Sequence, residues 1–305
     1  MSPVAFRAMG TSWWIHCDLP SHLAEAEALV HTLEARLSRF RADSALSRLN
    51  RGRRVTCPTL AAVTRLALGF RAGTDGAFDP LLGAELAAIG YDRSFEHLGA
   101  RHDTARTWSG RLLHTYVTID GDEVHLDGPG DLDLGGLAKG YAVDRIIALL
   151  LERGATSVLV DGGGDLRGAG PSFPIGVGDG LVVESHHGAI ATSSTLERRW
   201  LTSDDHVRHH ILDPHTGFPS DSPIDIATVI APDAVTADAL ATALIVAPEA
   251  ILDRLPDFAA HALVRAGDGH WWQSPDAPIA ASTPMASPTV ATWSKSVYPG
   301  HAELA

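Results

Sequence analysis

Positive charge, cysteine and long apolar runs are all scarce in this sequence, and each scarcity excludes something. Lys and Arg number 24 against 37 Asp and Glu, a formal net charge of −13. No basic stripe is therefore available to neutralise a phosphate backbone, which excludes nucleic acid and anionic membrane surfaces as partners. An anionic ligand must be gripped locally, by a metal or a few well-placed donors. The two cysteines, Cys17 and Cys57, cannot build a disulfide framework or, alone, a zinc site, and this usage fits a reducing compartment. No stretch approaches the ~18 apolar residues of a transmembrane segment. The start, Met1 to Ala8, has neither an apolar h-region nor a small-residue cleavage site. As written the chain reads as cytoplasmic, although one trimmed of an export signal would read the same.

What is present is enough apolar sequence for one large domain or two intimately joined ones across 305 residues. Alternation predicts a strand over 12–17. Leu23, Val30, Leu33 and Leu37 then form a helical stripe with Ser21 as the expected N-cap. Leu60, Val63, Leu66 and Phe70 mark a second helix. A hairpin is expected around Asp120-Gly121-Asp122, between apolar alternations at 116–119 and 123–126. A strong helix runs over 138–153, stopped by Gly154 in the position of a left-handed cap, and leads into a buried strand over 157–160. A strand over 226–230, a helix over 236–246 ended by Pro248, and a last strand over 260–264 follow. Helices and hairpins mix, so the fold class is α+β rather than a doubly wound parallel sheet. From Ser274 the composition shifts to Pro, Ala, Ser and Thr, which divides the chain into a domain over 1–273 and a flexible extension over 274–305.

Several short segments carry candidate chemistry. Asp238 and Thr242 are four apart on the helix over 236–246, so a carboxylate and a hydroxyl share one face. Two hard oxygens so placed suit Mg²⁺, though Thr236 or Asp238 capping the helix fits the same spacing. Gly135-Gly136 precede a helix whose first turn holds Lys139, an arrangement that favours phosphate but also describes an ordinary helix start. Ala138 before the lysine excludes a Walker A loop. Asp161-Gly-Gly-Gly-Asp165 resembles the start of a dinucleotide fingerprint, yet Arg167 stands where the third glycine belongs. A tight turn approached by another backbone is the expectation. His206, His209 and His210 cluster before Asp213-Pro214 without the HExxH pattern of zinc, leaving either solvated imidazoles or one general base. Phe40 to Ser44 and Gly76 to Pro80 each place an aromatic beside polar groups, able to hold a heteroaromatic ring or to fill a core.

The order of these pieces carries more than any one of them. Ala8-Met9-Gly10-Thr11, Phe40-Arg41 with Asp43-Ser44, Gly76 to Pro80, Asp133 to Asp144, Gly162 to Asp165, Ala191-Thr192-Ser193, His210 to Gly217 and Ala237 to Thr242 together resemble the ApbE family of FAD:protein FMN transferases. The resemblance spans roughly residues 5–270. It implies the family's T-fold-like α+β architecture of mixed or antiparallel sheets with packed helices. It also implies Mg-dependent attack by an acceptor protein's Thr or Ser hydroxyl on the FMN-side phosphorus of FAD, releasing AMP. Carried over by position, Asp238, Thr242 and the Gly136 carbonyl ligate Mg²⁺, for which Mn²⁺ is an alternative, and Lys139 faces the FAD phosphates. Met9, Phe40, Ala77, Phe78, Asp79, Asp133 and Leu212 match FAD-contacting positions, and His210 matches the base.

Phe40 replaces a tyrosine common in the family, and Ser194-Thr-Leu-Glu-Arg replaces its glycine-aromatic-arginine pattern after Ser193. There is no lipobox of the kind many relatives carry. The competing functions are FAD hydrolysis to FMN and AMP in the same site, and flavin binding without turnover. Ser282, Thr283, Ser287, Thr289 and Thr292 in the tail lack the Asp-Gly-x-Thr-like context that family acceptors resemble, so the tail is not expected to be a self-acceptor.

Overall fold

A computed structural model of the chain describes residues 3–98, 116–178, 181–185, 188–202, 205–281 and 290–292. In chain order, β1 (Val4–Ala8) and β2 (Thr11–Cys17) form a hairpin, followed by α1 (Leu23–Leu37) and α2 (Ala45–Gly52). Next come β3 (Arg54–Thr56), α3 (Pro58–Gly73), α4 (Gly83–Ala88), the hairpin β4 (Tyr116–Asp120) and β5 (Glu123–Asp127), and α5 (Ala138–Glu152). The antiparallel run β6 (Val158–Asp161), β7 (Asp165–Ala169), β8 (Phe173–Gly178), β9 (Leu181–Ser185) and β10 (Ala189–Ser194) leads to the short hairpin β11 (Arg199–Leu201) and β12 (Val207–His209). The chain closes with β13 (Ile224–Ala231), α6 (Ala234–Val246), α7 (Pro248–Arg254), β14 (His261–Ala266), β15 (Trp271–Gln273), β16 (Ile279–Ala281) and β17 (Val290–Thr292).

Nine strands form one sheet in the order β1-β2-β6-β7-β10-β13-β14-β15-β17. Its pairings are antiparallel except β15 with β17, so the sheet is mixed. Alternation along the central strands assigns its two faces. Val158 and Val160 of β6 and Ala189 and Ala191 of β10 enter the main core with α1, α5 and α6. Leu159 and Ile190, between them in sequence, pack with Ile175 and Val183 of the small sheet β16-β9-β8. The central strands are thus covered on both faces. A third sheet, β3-β5-β4, lies beside α2 and α3.

Local expectations meet this architecture with specific corrections. Pro20 opens a 3-10 turn over Pro20–His22, which places Ser21 inside the turn and leaves His22, whose side chain makes no capping bond, at the start of α1. Leu66, assigned to an apolar stripe, is exposed at 38% because α3 presents a narrower buried face. Helix α6 begins earlier than expected. Asp233 caps it, accepting from the Thr236 amide at 2.8 Å, so neither Thr236 nor Asp238 is the cap. The strand expected over 260–264 is not the last. The Oγ of buried Ser274 accepts from Ala262 N at 3.0 Å, and β16 and β17 pair with β9 and β15 inside the segment expected to be flexible. Ser282, Thr283, Ser287 and Thr289 lie outside the described residues, while Thr292 ends β17. Among the described residues no helix is long and apolar enough to cross a membrane.

Candidate active site

The floor of the site is made where α5 crosses α6. A Cβ at Gly140 would stand 2.3 Å from the Ala234 carbonyl oxygen, so only glycine lets the two helix starts approach this closely. The contact brings the Gly140 amide to Asp238 Oδ2, to which it donates at 3.2 Å. The Lys139 ammonium, one residue earlier, pairs with Asp165 at the start of β7 and lies 3.8 Å from Asp238 Oδ2. Asp165 and Asp238 are both buried, so two carboxylates face one ammonium in a dry site, one negative charge in excess. Burial and the charge of Asp238 push Asp165 up to about 8, against the pull of Lys139. Burial alone would lower the lysine, yet the two carboxylates outweigh it and raise its pKa above the ordinary value.

One turn along α6, the Thr242 hydroxyl lies 3.3 Å from that of Ser193 on β10. The glycine turn reaches the same place: a Cβ on Gly136 would be 3.2 Å from Thr242 Oγ1 and 3.1 Å from the Phe78 ring. A carboxylate, two hydroxyls and a backbone turn with little room for a side chain therefore converge. This all-oxygen donor set fits a hard divalent cation that keeps open positions for ligand oxygens. Among the described residues no group of three or more His, Cys, Asp or Glu side chains could hold a metal. The histidines of 206–215 are dispersed: His209 Nε2 contacts the Ser220 carbonyl at 3.1 Å, and exposed His215 pairs with Asp213.

His210 follows β12, its ring edge-on to Tyr91 with centroids 6.2 Å apart. Its Nδ1 is buried and has no hydrogen-bond partner among the described residues. Burial, reinforced by the charges of Arg198, His209 and Lys139, holds its pKa well below the ordinary histidine value. The imidazole is neutral near pH 7, with a lone pair free to accept a proton.

The walls come from the first hundred residues. Phe40 lies against Tyr91, which stacks on Trp200, and the Arg39 guanidinium sits 4.1 Å from the Phe40 centroid. Arg39 also pairs with Asp133, whose Oδ1 accepts from the Gly135 amide at 2.7 Å, so the aromatic wall is tied to the glycine turn. Met9 occupies the left-handed region at φ 52° in the two-residue turn between β1 and β2, and its amide donates to Glu34 at 2.6 Å. Phe78 and Asp79 are buried. Phe78 packs edge-on to Phe70, and Asp79 accepts from Arg71 and the Leu81 amide.

These groups enclose one cavity of about 490 Å³, within the usual span of small-molecule sites, and all twelve residues singled out from the sequence line it. Sequence reasoning missed Glu34, Arg39, Tyr91 and Arg198, which line it too, and named Ser193 only as part of a motif, without a role. Arg39 sat beside a chosen aromatic, and Arg198 ends the segment noted as departing from the family pattern. Asp165, treated as part of a turn, is the partner of Lys139. The turn is approached by backbone, as expected, with the Thr192 amide donating to the Gly164 carbonyl at 3.2 Å, and also by side chains: a Cβ on Gly163 would meet Thr11, and one on Gly162 would meet Trp13.

The family model described as the ApbE family matches residues 9–262. The chain belongs to the ApbE family. A Treponema pallidum protein named FAD:protein FMN transferase is 34% identical over 263 aligned residues, covering 75% of this chain and 72% of that protein. The Escherichia coli K12 protein of the same name is 29% identical, covering 88% and 86%. The crystal structure of the ApbE protein of Thermotoga maritima has a TM-score of 0.77 at 30% identity, covering 88% of this chain and 96% of that one. Flavin transferase ApbE from Vibrio cholerae has a TM-score of 0.74 at 26% identity, covering 89% and 96%. The α+β fold is thus one shared with solved ApbE structures, and the span matched by the ApbE model contains every cavity residue from Met9 to Thr242.

Proposed function

We propose that this ApbE family member transfers the FMN moiety of FAD to a threonine or serine hydroxyl of an acceptor protein, with Mg²⁺, releasing AMP. The observation that carries the reading is the convergence of Lys139, Asp238, Thr242, Gly136 and His210, from three separate stretches of chain, on one cavity. The relatives' shared name, FAD:protein FMN transferase, supports the same reaction.

Asp238, Thr242 and the Gly136 carbonyl are the groups that would hold Mg²⁺, and Mn²⁺ suits the same oxygens. A divalent cation bound there neutralises charge on the FAD pyrophosphate. Lys139 adds a fixed positive charge on the phosphates. Phe40 with Tyr91 offers faces for a flat ring, and Met9, Ala77 and Leu212 complete the walls. Phe78, Asp79 and Asp133 hold these walls in place through their contacts with Phe70, Arg71 and Arg39.

In the transfer itself, the acceptor hydroxyl oxygen forms a bond to the FMN-side phosphorus. The phosphoanhydride bond to the adenylate breaks, AMP leaves with the bridging oxygen, and His210 Nδ1 takes the hydroxyl proton. Alignment and charge neutralisation supply most of the acceleration in such reactions.

The test is incubation with FAD and Mg²⁺, with and without a domain carrying an Asp-Gly-x-Thr segment. AMP release that depends on the domain, with flavin fluorescence following it on a denaturing gel, is expected. AMP without acceptor would mean FAD hydrolysis, and no AMP in either case would mean a flavin-binding protein.

A further inference from the structure

We propose that Arg198 is a further catalytic residue, its guanidinium binding non-bridging oxygens of the phosphoryl group under transfer; this rests on the flavin-transfer reading above. In this acidic chain the arginines around the site are committed to carboxylates: Arg39 to Asp133, Arg71 to Asp79 and Arg167 to Asp144. Arg198 is different. It is half-buried and lines the cavity, yet among the described residues its guanidinium has neither a hydrogen bond nor an ion pair. Glu197 beside it lines the same cavity without engaging it.

Lys139 and His210, which come from distant segments, are within electrostatic reach of Arg198. With no carboxylate paired to it among the described residues, the Arg198 guanidinium is available to an anion entering the cavity.

Position narrows which anion. The His210 ring bonds to the backbone of Arg198, so the segment that orients the base also carries the guanidinium. Lys139, beside Asp165 and Asp238, lines the same cavity. In the flavin-transfer reading the phosphorus under attack has to be within reach of both the base and the lysine. The segment is held: Thr195 donates to the Asp225 carbonyl at 3.0 Å and Arg199 Nε to the Thr195 carbonyl at 2.6 Å. A guanidinium fork matches two phosphoryl oxygens at once, which an ammonium cannot do. Arg198 thus takes up the charge on those oxygens while the new oxygen–phosphorus bond forms and the adenylate leaves.

The experiment compares wild type with Arg198→Met and Arg198→Lys, measuring FAD affinity by flavin fluorescence quenching with Mg²⁺, and AMP release and flavin attachment at saturating FAD. For Arg198→Met we expect FAD affinity within about threefold of wild type and a saturated transfer rate at least ~100-fold lower, with Arg198→Lys in between. Thermal midpoints close to wild type separate this from a structural role, and if the methionine variant does not fold, the lysine variant carries the same comparison. A saturated rate within about threefold of wild type in the variant, whether or not FAD affinity falls, overturns the assignment. Wild type that releases no AMP with FAD, Mg²⁺ and the acceptor domain overturns the flavin-transfer reading itself and Arg198 with it. The two failures are thereby told apart.

Discussion

The Asp144 Oδ1 lies 2.9 Å from the amide nitrogen of Ala234, and Oδ2 lies at the same distance from the amide of Val235. One helix thus caps another: α5, which carries Lys139, satisfies the first free amides of α6, which carries Asp238. Arg167 of β7 pairs with the same carboxylate, so the strand that begins with Asp165 joins the lock. Burial pushes the Asp144 pKa up, while the two amides and Arg167 pull it back. Replacing Asp144 with Ala leaves Arg167 and two helix amides without their acceptor. The expected loss is about 3–5 kcal/mol in unfolding free energy, read by urea denaturation. A loss below ~1 kcal/mol would show that α6 is held by its apolar packing alone.

Gly140→Ala tests the crossing of the same helices. The added Cβ would meet backbone, the Ala234 carbonyl at 2.3 Å, where no side-chain rotation gives relief. The expected cost is about 3 kcal/mol or more, with a lower thermal midpoint and weaker metal binding because Asp238 moves with the shifted helix. Gly10→Ala provides a contrast. Its Cβ would face open space, so it bears only the strain of φ 71°.

Asp238→Ala is expected to abolish Mg²⁺-dependent AMP release, by at least ~100-fold, while leaving the protein folded. Calorimetric titration with Mg²⁺ in the presence of ADP should lose its binding heat in parallel. Turnover at the wild-type rate would remove Asp238 from the cation site.

His210→Ala should bind FAD and transfer about 10²–10⁴-fold more slowly. The pH dependence has a definite sign. A histidine in the unfolded chain titrates near 6.5, whereas burial beside Arg198, His209 and Lys139 puts the folded value well below that. Between the two values the unfolded chain holds a proton the folded one does not, so this group's contribution to stability falls as pH drops below 6.5. The stability of His210→Gln should therefore fall less steeply than that of wild type as the pH drops below 6.5. The acid limb of kcat/KM assigned to this base should also lie below pH 6.5, and a limb at or above it would exclude His210 as the base.

Parts of the molecule were legible in the sequence because their signals are local. The helix over Ala138–Glu152 shows itself through four turns of apolar period and a glycine at φ 91° after its end, and the hairpin around Gly121 through alternation on both sides. Ser21 misled because a capping residue was read without the proline before it. The place of β10 between β7 and β13 has no counterpart in local periodicity, since strand order is decided by which faces bury together. Within the site, Asp238 and Thr242 could be paired by helical spacing. Arg198 and Arg39, in or beside turns, had no period to betray them, and the partnership of Asp165 with Lys139 is a product of tertiary packing.

Helix α6 buries ten of its thirteen residues, leaving almost none of its surface to water. A helix so enclosed does not fray or tilt independently of the sheet beneath it. Its amides should exchange with deuterium only through opening of the whole fold, the slowest class in the molecule. For the ligand this means that Asp238 and Thr242 form a fixed edge: whatever binds there has to fit their spacing.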